Sequence, residues 1–245
     1  MSGEWKARRF WTTTAVEPVG DGWQLRLDQR ALRTPGKLPL VLPTQALAQA
    51  VAAEWEAQQD VIAPATMPVT RAANSAVERV APQFAQVAGM LAEYGGTDLL
   101  CYRAAHPAEL AAQQAAQWDP LLDWAAQELG AALRVTQGVI PVAQDPGALA
   151  RLRARLDALS PWQLTAVHDL VTIPGSLVLG LAVLHGRLDA AAAHALSRLD
   201  DEHQAALWGR DPEAEAAAAA RLDAMLVAER LLGLLCGDPP ACHNA

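Results

Sequence analysis

Apolar and polar residues alternate over the first forty positions, and a three-and-four spacing then takes over for most of the remaining chain. Trp23, Leu25 and Leu27 alternate with Gln24, Arg26 and Asp28, which places one apolar face on a strand. The stretch WKARRFWTTTAV from Trp5 mixes basic, aromatic and β-branched residues suited to a partner strand, and Asp21-Gly22 is the turn dipeptide expected between the two. ALRTP and LPLVLP supply one or two more short strands. Three or four antiparallel strands of this length cannot cover both of their faces, so they need a helix on one side or closure into a small barrel.

The helix follows at once. Thr44 is placed to cap it, and QALAQAVAAEWEAQQ carries Leu47, Ala48, Val51, Ala52 and Trp55 on one face, with Gln45, Gln49, Glu56 and Gln59 on the other. Leu47, Val51 and Trp55 are expected to cover the sheet. Pro64 and Pro68 interrupt the pattern, and PVTRAANSAVERV opens a new helix with Pro68 in its first turn. The composition shift there divides the chain into a β-rich domain over 1–75 with its capping helix and an α-helical domain over 76–245, an α+β organisation. In the second part, APQFAQVAGMLAEYGG stops at Gly95-Gly96, and the pattern from Pro107 to Gly130 is expected to start afresh at Pro120. LRVTQGVIPV reads as extended. Helices then begin near Pro146, Pro161 and Ser176, one long helix is expected over LDAAAAHALSRLDDEHQAALWG, and Asp211-Pro212 starts the last. CGDPPACHNA reads as a frayed tail.

Composition narrows the function classes. Apolar residues make up 52% of the 245 and aromatics only 5%, so alanine carries much of the hydrophobic share and favours helix. Eight tryptophans stand against two tyrosines and two phenylalanines, most of them expected in or beside the core. A net charge of −8 disfavours nucleic acid or anionic lipid as the main partner. Cys101, Cys236 and Cys242 form no CxxC pair and read as free thiols of a reducing compartment. The apolar run from Ile173 is cut by Pro174, Gly175 and Gly180, which points to a buried helix instead of a membrane span. The N-terminus has no charged-then-apolar signal, so no cleaved presequence is expected.

Reaction chemistry is sparse. Neither GxxxxGK[ST] nor GxGxxG occurs. His185, His194 and His203 are nine apart, which turns each about half a circle from the last on a straight helix and gives no shared metal-binding face. His168-Asp169, with Ser160 or Ser176, lacks the GxSxG elbow of a serine hydrolase. The most informative cluster lies in SRLDDEHQAALWGRDPEAE. Arg198, Asp201, Glu202, Ala205 and Trp208 occupy neighbouring rows of a helix, while Leu196, Leu199, Ala206 and Leu207 form the expected core stripe. Two readings stand side by side: a solvated face with an Arg198–Glu202 pair and Trp208 tucked into the helix corner, or an acidic docking patch anchored on an indole.

RRFW, GWQLRLDQRALRTP, EWEAQ, MPVTRAAN, TDLLCYRA, QWDPLLDW and DEHQAALWGRDPEAE together resemble the ATP12-type assembly chaperones, which bind the alpha subunit of the ATP synthase F(1) sector. The resemblance implies a small antiparallel β-barrel-like N-terminal domain capped by a helix, followed by an orthogonal α-helical bundle. It implies a chaperone, not an enzyme, with no catalytic residues, cofactor or metal. Its partner would be the unassembled alpha subunit, kept from aggregating until the beta subunit replaces the chaperone. By motif position Glu202 is the essential acidic contact, with Asp201, Gln204 and Trp208 beside it, and Glu54 and Trp55 hold the capping helix to the barrel. The resemblance further implies no nucleic acid, no membrane insertion and a monomer when free. A bacterial cytoplasm is expected, since the chain starts at the motif without a matrix-targeting extension. The alternatives are a small hydrolase using His168 and a serine, or a structural adaptor with another partner.

Overall fold

A computed structural model of the chain describes residues 8–138 and 140–236. The described residues group into two compact units. One runs through Gln83 and takes in Pro161–Thr165 and the chain from Arg230 on; the other comprises Phe84–Ser160 and Ala166–Glu229. Residue 75, where the pattern placed the boundary, lies inside a helical run that begins at Pro68, passes through a π-helical turn at Ala76–Val80 and ends in a short 3-10 turn at Ala81–Gln83.

In the first unit β1 (Thr14–Val19) and β2 (Gly22–Leu27) form an antiparallel hairpin with Thr14 opposite Leu27 and Val19 opposite Gly22. The hairpin turn is Gly20-Asp21, one residue earlier than the sequence pattern suggests, with Gly20 at φ 55°. Gly22 is needed for a different reason. A Cβ there would stand 2.7 Å from Val41 Cγ1 and 2.8 Å from the Leu42 carbonyl oxygen, closer than packed atoms allow. Both β3 (Arg30–Ala31) and β4 (Val41–Leu42) pair with β2. The sheet is therefore antiparallel as expected, but it is not a closed barrel. Two-residue strands carry too few backbone groups to continue the ladder round to β1.

The helix α1 (Gln45–Glu56) packs on β1, β2 and β4 and buries Leu47 and Val51 in a core with Leu25, Leu27, Leu40 and Leu42. Thr44 caps it as expected, its Oγ1 accepting from Leu47 N at 3.2 Å. Trp55 is half-buried and meets the buried Trp11 edge-on, ring centres 5.1 Å apart, so it ties α1 to the segment before β1. Arg9 closes the same corner, donating to the carbonyls of Glu56 at 2.9 Å and Gln58 at 2.6 Å, where the end of α1 leaves acceptors open.

Glu54, expected with Trp55 to hold α1 to the sheet, instead binds the start of the next helix. Its carboxylate accepts from Val69 N at 2.8 Å, Thr70 N at 2.7 Å and Thr70 Oγ1 at 2.7 Å. These are the free donors at the start of α2 (Pro68–Ser75), whose N-cap residue, Met67, offers no side-chain bond. Glu54 thus caps a helix that begins fourteen residues later, with a full negative charge where the helix dipole favours it. Gln58, nearly fully buried, zips the loop between them by accepting from Ala63 N at 2.7 Å and donating to Thr66 Oγ1 at 3.1 Å. The EWEAQ and MPVT segments are two halves of one clamp.

The second unit is mostly helical: α3 (Phe84–Glu93), α4 (Ala108–Glu128), α5 (Pro146–Asp157), most of α6 (Pro161–Thr172), α7 (Leu177–Leu184), α8 (Ala190–Ser197), α9 (Leu199–Trp208) and most of α10 (Pro212–Leu235). Among the described residues of the expected extended segment, only β6 (Thr136–Gln137) is a strand, and it pairs in parallel with β5 (Tyr102–Arg103). Pro120 lies inside α4 and does not restart it. Burial of Trp118, Leu121, Leu122 and Ala125 holds the helix through the missing N–H. Every residue of α7 from Leu177 to Val183 is buried, as the apolar run predicts.

Asp98, fully buried, joins two parts of this core by accepting from Leu100 N at 3.0 Å, Ser176 Oγ at 2.7 Å and Val178 N at 2.9 Å. Burial pushes its pKa up to about 6, against the pull of those donors. Cys101 is a buried free thiol that burial pushes up to about 12, whereas Cys236 is disulfide-bonded, which corrects its reading as a free thiol. The tail read as frayed lies outside the described residues from position 237, as do positions 5–7 of the first expected strand.

Replacing Glu54 with Ala is expected to lower stability by about 2 kcal/mol, the loss of one charged helix cap with its donors left open, and Glu54→Gln by less; denaturant melts of the three proteins check this. For Asp98 the folded pKa lies above the unfolded one. Its contribution is therefore complete below the unfolded value of 3.8 and is lost as pH rises through about 6. The Tm of the wild type relative to Asp98→Asn is expected to fall between pH 4 and pH 7, and a flat or rising difference would contradict the assignment.

Candidate partner-binding site

The single long helix expected over LDAAAAHALSRLDDEHQAALWG is broken. At Arg198 the backbone leaves the helical region (φ −110°, ψ 16°), so α8 ends at Ser197 and α9 starts in a new phase. The core stripe expected from Leu196, Leu199, Ala206 and Leu207 does not form. Leu199 is buried and Leu196 half-buried, but Ala206 is exposed and Leu207 is 64% exposed. Trp208 is 85% exposed, which removes the reading that tucks it into the helix corner. Gly209, at φ 93°, stops α9, and Asp211 starts α10, its Oδ1 accepting from Glu213 N at 3.1 Å.

The new phase brings together a closed ring of alternating charge. Arg198 reaches Glu202 at 3.2 Å and Glu215 at 3.7 Å; Arg210 reaches the same two carboxylates at 2.8 Å and 2.9 Å. Asp201 stands 3.7 Å from Arg198 Nε. The two arginines are not equivalent. The Arg198 side chain is 16% exposed and that of Arg210 is 59% exposed. The Arg210 pairs, open to water, contribute about 0–1 kcal/mol each, so the outer side of the ring organises charge more than it stabilises the fold. Of the four residues singled out from the sequence, Glu202 sits in this ring, and Asp201, Gln204 and Trp208 are exposed on the same short helix. Beyond them the first half of α10 leaves Ala214, Ala216, Ala217, Ala219 and Ala220 exposed, with Ala218 turned inward.

What fixes this corner lies underneath and was not assigned from sequence. Gln114 of α4, 1% exposed, accepts from Ala104 N at 2.7 Å and donates to both oxygens of Asp200 at 3.0 Å. One turn on, the fully buried Trp118 donates its indole N–H to the Leu196 carbonyl at 3.0 Å. Arg103 covers the Trp118 ring, its guanidinium carbon 5.0 Å from the ring centre, and is paired with Asp119 at 2.7 Å. The four-residue spacing of Gln114 and Trp118 was the available signal: a buried amide and a buried indole on one helix face each need a partner.

The geometry removes Ser176 from the hydrolase alternative. His168 Nδ1 pairs with Asp169 at 2.8 Å, but Ser176 Oγ is buried, donates to Asp98 and accepts from Leu179 N at 3.0 Å as the cap of α7. Among the described residues no group of three or more His, Cys, Asp or Glu side chains is placed to hold a metal ion. No helix among them is long and apolar enough to cross a membrane.

Residues 8–126 match the model of the ATP12 chaperone protein family. A mitochondrial atp12 protein of Schizosaccharomyces pombe is 27% identical over 216 residues, 82% of this chain and 74% of its own length. Among solved structures, Atp12 from Paracoccus denitrificans is 62% identical with a TM-score of 0.93, covering 95% of this chain and all of its own. The Atu1473 protein of Agrobacterium tumefaciens is 39% identical with a TM-score of 0.88, covering 93% of this chain and 86% of its own.

Because Trp208 contacts mainly water, Trp208→Ala is expected to leave stability within about 0.5 kcal/mol of the wild type, whereas Trp118→Ala costs about 3–5 kcal/mol. Paired denaturant melts distinguish the presented indole from the supporting one.

Proposed function

This chain belongs to the ATP12 chaperone family, and we propose that it binds the unassembled alpha subunit of the ATP synthase F(1) sector through the exposed end of α9. Its place in ATP synthase assembly comes from the family; the subunit and the footprint are our reading. The observation that carries the reading is an 85% exposed tryptophan beside a ring of paired carboxylates, on a helix whose first turn is tied to the core through Asp200. A large indole left in water at a fixed position costs hydration free energy that a partner recovers, and tryptophan anchors are common at the centres of protein interfaces.

An alpha subunit without its neighbour exposes the apolar surface that later faces the beta subunit, and such surfaces associate with one another. A chaperone that covers the surface lowers the concentration of the aggregating species by mass action. Release needs no nucleotide hydrolysis if the beta subunit binds the same region more tightly, since differential affinity alone moves the equilibrium. In this reading Glu202 provides the main acidic contact, Asp201 and Gln204 add polar contacts, and Trp208 is the apolar anchor. The chain acts as a monomer in a bacterial cytoplasm, without cofactor or metal.

Glu202→Lys is expected to leave the Tm within a few degrees, because Glu202 itself is partly exposed and Arg198 keeps Asp201 and Glu215 as partners, while removing the chain's ability to suppress aggregation of alpha subunit diluted from denaturant, followed by light scattering. Full protection by the folded variant would refute the acidic contact.

A further inference from the structure

Between Arg198 and Glu215 there are six carboxylates and two guanidiniums. Asp200 is turned toward Gln114, and Glu202 and Glu215 each face both arginines. Arg198 is largely enclosed and holds the two glutamates in place from beneath. Arg210 lies on the outer side, in the short link between α9 and α10, immediately after Gly209 in the left-handed region. The corner is not locked by saturated hydrogen bonds. The buried Nε of Arg198 and the buried Nε2 atoms of His194 and His203 have no hydrogen-bond partner.

We infer that Arg210 is an internal stand-in for a cation of the partner, occupying the Glu202–Glu215 pair until a lysine or arginine of the bound subunit replaces it. The inference rests on the reading of this face as the subunit-binding surface and adds what the surface recognises: a basic side chain next to an apolar one. The basic group enters between the two carboxylates and the apolar group lies on Trp208 and Leu207, which are 85% and 64% exposed. Charge complementarity selects this occupant, since Glu202 and Glu215 share the two arginines and the exposed carboxylates of Asp201, Asp211 and Glu213 lie on the same α9–α10 segment. Exchange of one solvent-exposed cation for another is nearly neutral in free energy, because each pair contributes so little in water. Net binding then comes from covering the indole and the leucine, and the exchange supplies register. Arg210 also screens the carboxylates in the free protein and so weakens attachment of unrelated basic surfaces.

The test titrates alpha subunit, diluted from denaturant, with the full chain carrying Arg210→Ala, with Arg210→Gln, which keeps a polar side chain, and with Arg187→Ala. Arg187 is an exposed arginine outside the ring. Both Arg210 variants are expected to bind on the order of 3- to 10-fold more tightly than the wild type at about 0.15 M salt, with the gain shrinking as salt rises, and Arg187→Ala is expected to bind as the wild type does. Equal or weaker binding by folded Arg210 variants overturns the stand-in while wild-type binding leaves the functional reading intact. An equal gain from Arg187→Ala assigns the effect to overall charge and also overturns it, as does self-association of the Arg210 variants in place of subunit binding. Failure of the wild type to bind removes the functional reading and this inference together.

Discussion

Two side chains on one turn of α4 decide where α9 leaves the core. The Gln114 amide holds the Asp200 carboxylate and the Trp118 indole holds the Leu196 carbonyl, one on each side of the break at Arg198. Both donors are buried, so neither can be given up without leaving an unsatisfied polar group, a penalty of about 1–3 kcal/mol. A break in a long alanine-rich helix is otherwise unfavourable, because continuing it would add intrahelical hydrogen bonds. Anchoring the two residues that flank the break makes it the lower state. Everything that follows inherits its direction: the outward turn of Leu207 and Trp208, the closure of the charge ring, and the start of α10.

The first unit uses the same logic with a different chemistry. Glu54 supplies a charged cap to a helix that its own sequence cannot cap, and Gln58 fastens the intervening loop. In both units a side chain from one helix satisfies backbone groups at the boundary of another, and the boundary is set by that tertiary contact. The surface ring is the opposite case. Its Arg210 pairs are open to solvent, contribute little to the fold and are therefore free to rearrange, which is the property a binding surface needs.

This difference explains how much could be read from sequence. Alternation at Trp23, Leu25 and Leu27 and the spacing of Leu47 and Val51 report burial directly, so the hairpin and α1 were legible. The buried helix at α7 was equally so. The small antiparallel, barrel-like sheet implied by the resemblance is present, but that it stays open was not legible, because strand length beyond β2 depends on how far pairing continues. The break at Arg198 was invisible for a related reason: Ser197, Arg198 and Leu199 carry no glycine or proline, and the cause sits on α4, some eighty residues away. Once that break is missed, the helical wheel puts Leu207 in the core. The residue types of the site, acidic side chains with an indole, were visible from the pattern DEHQAALWG, whereas the bridging by Arg210 and Glu215 required the turn at Gly209.

The exposed alanines at the start of α10 have a consequence of their own. A segment with almost nothing to lean on keeps its helical form here through backbone preference, since alanine loses no side-chain freedom on becoming helical. It presents a smooth rod with no long side chains to immobilise. Another chain can come within near-backbone distance of such a rod at a small entropic penalty, so the segment is ordered in advance and sterically undemanding at the same time.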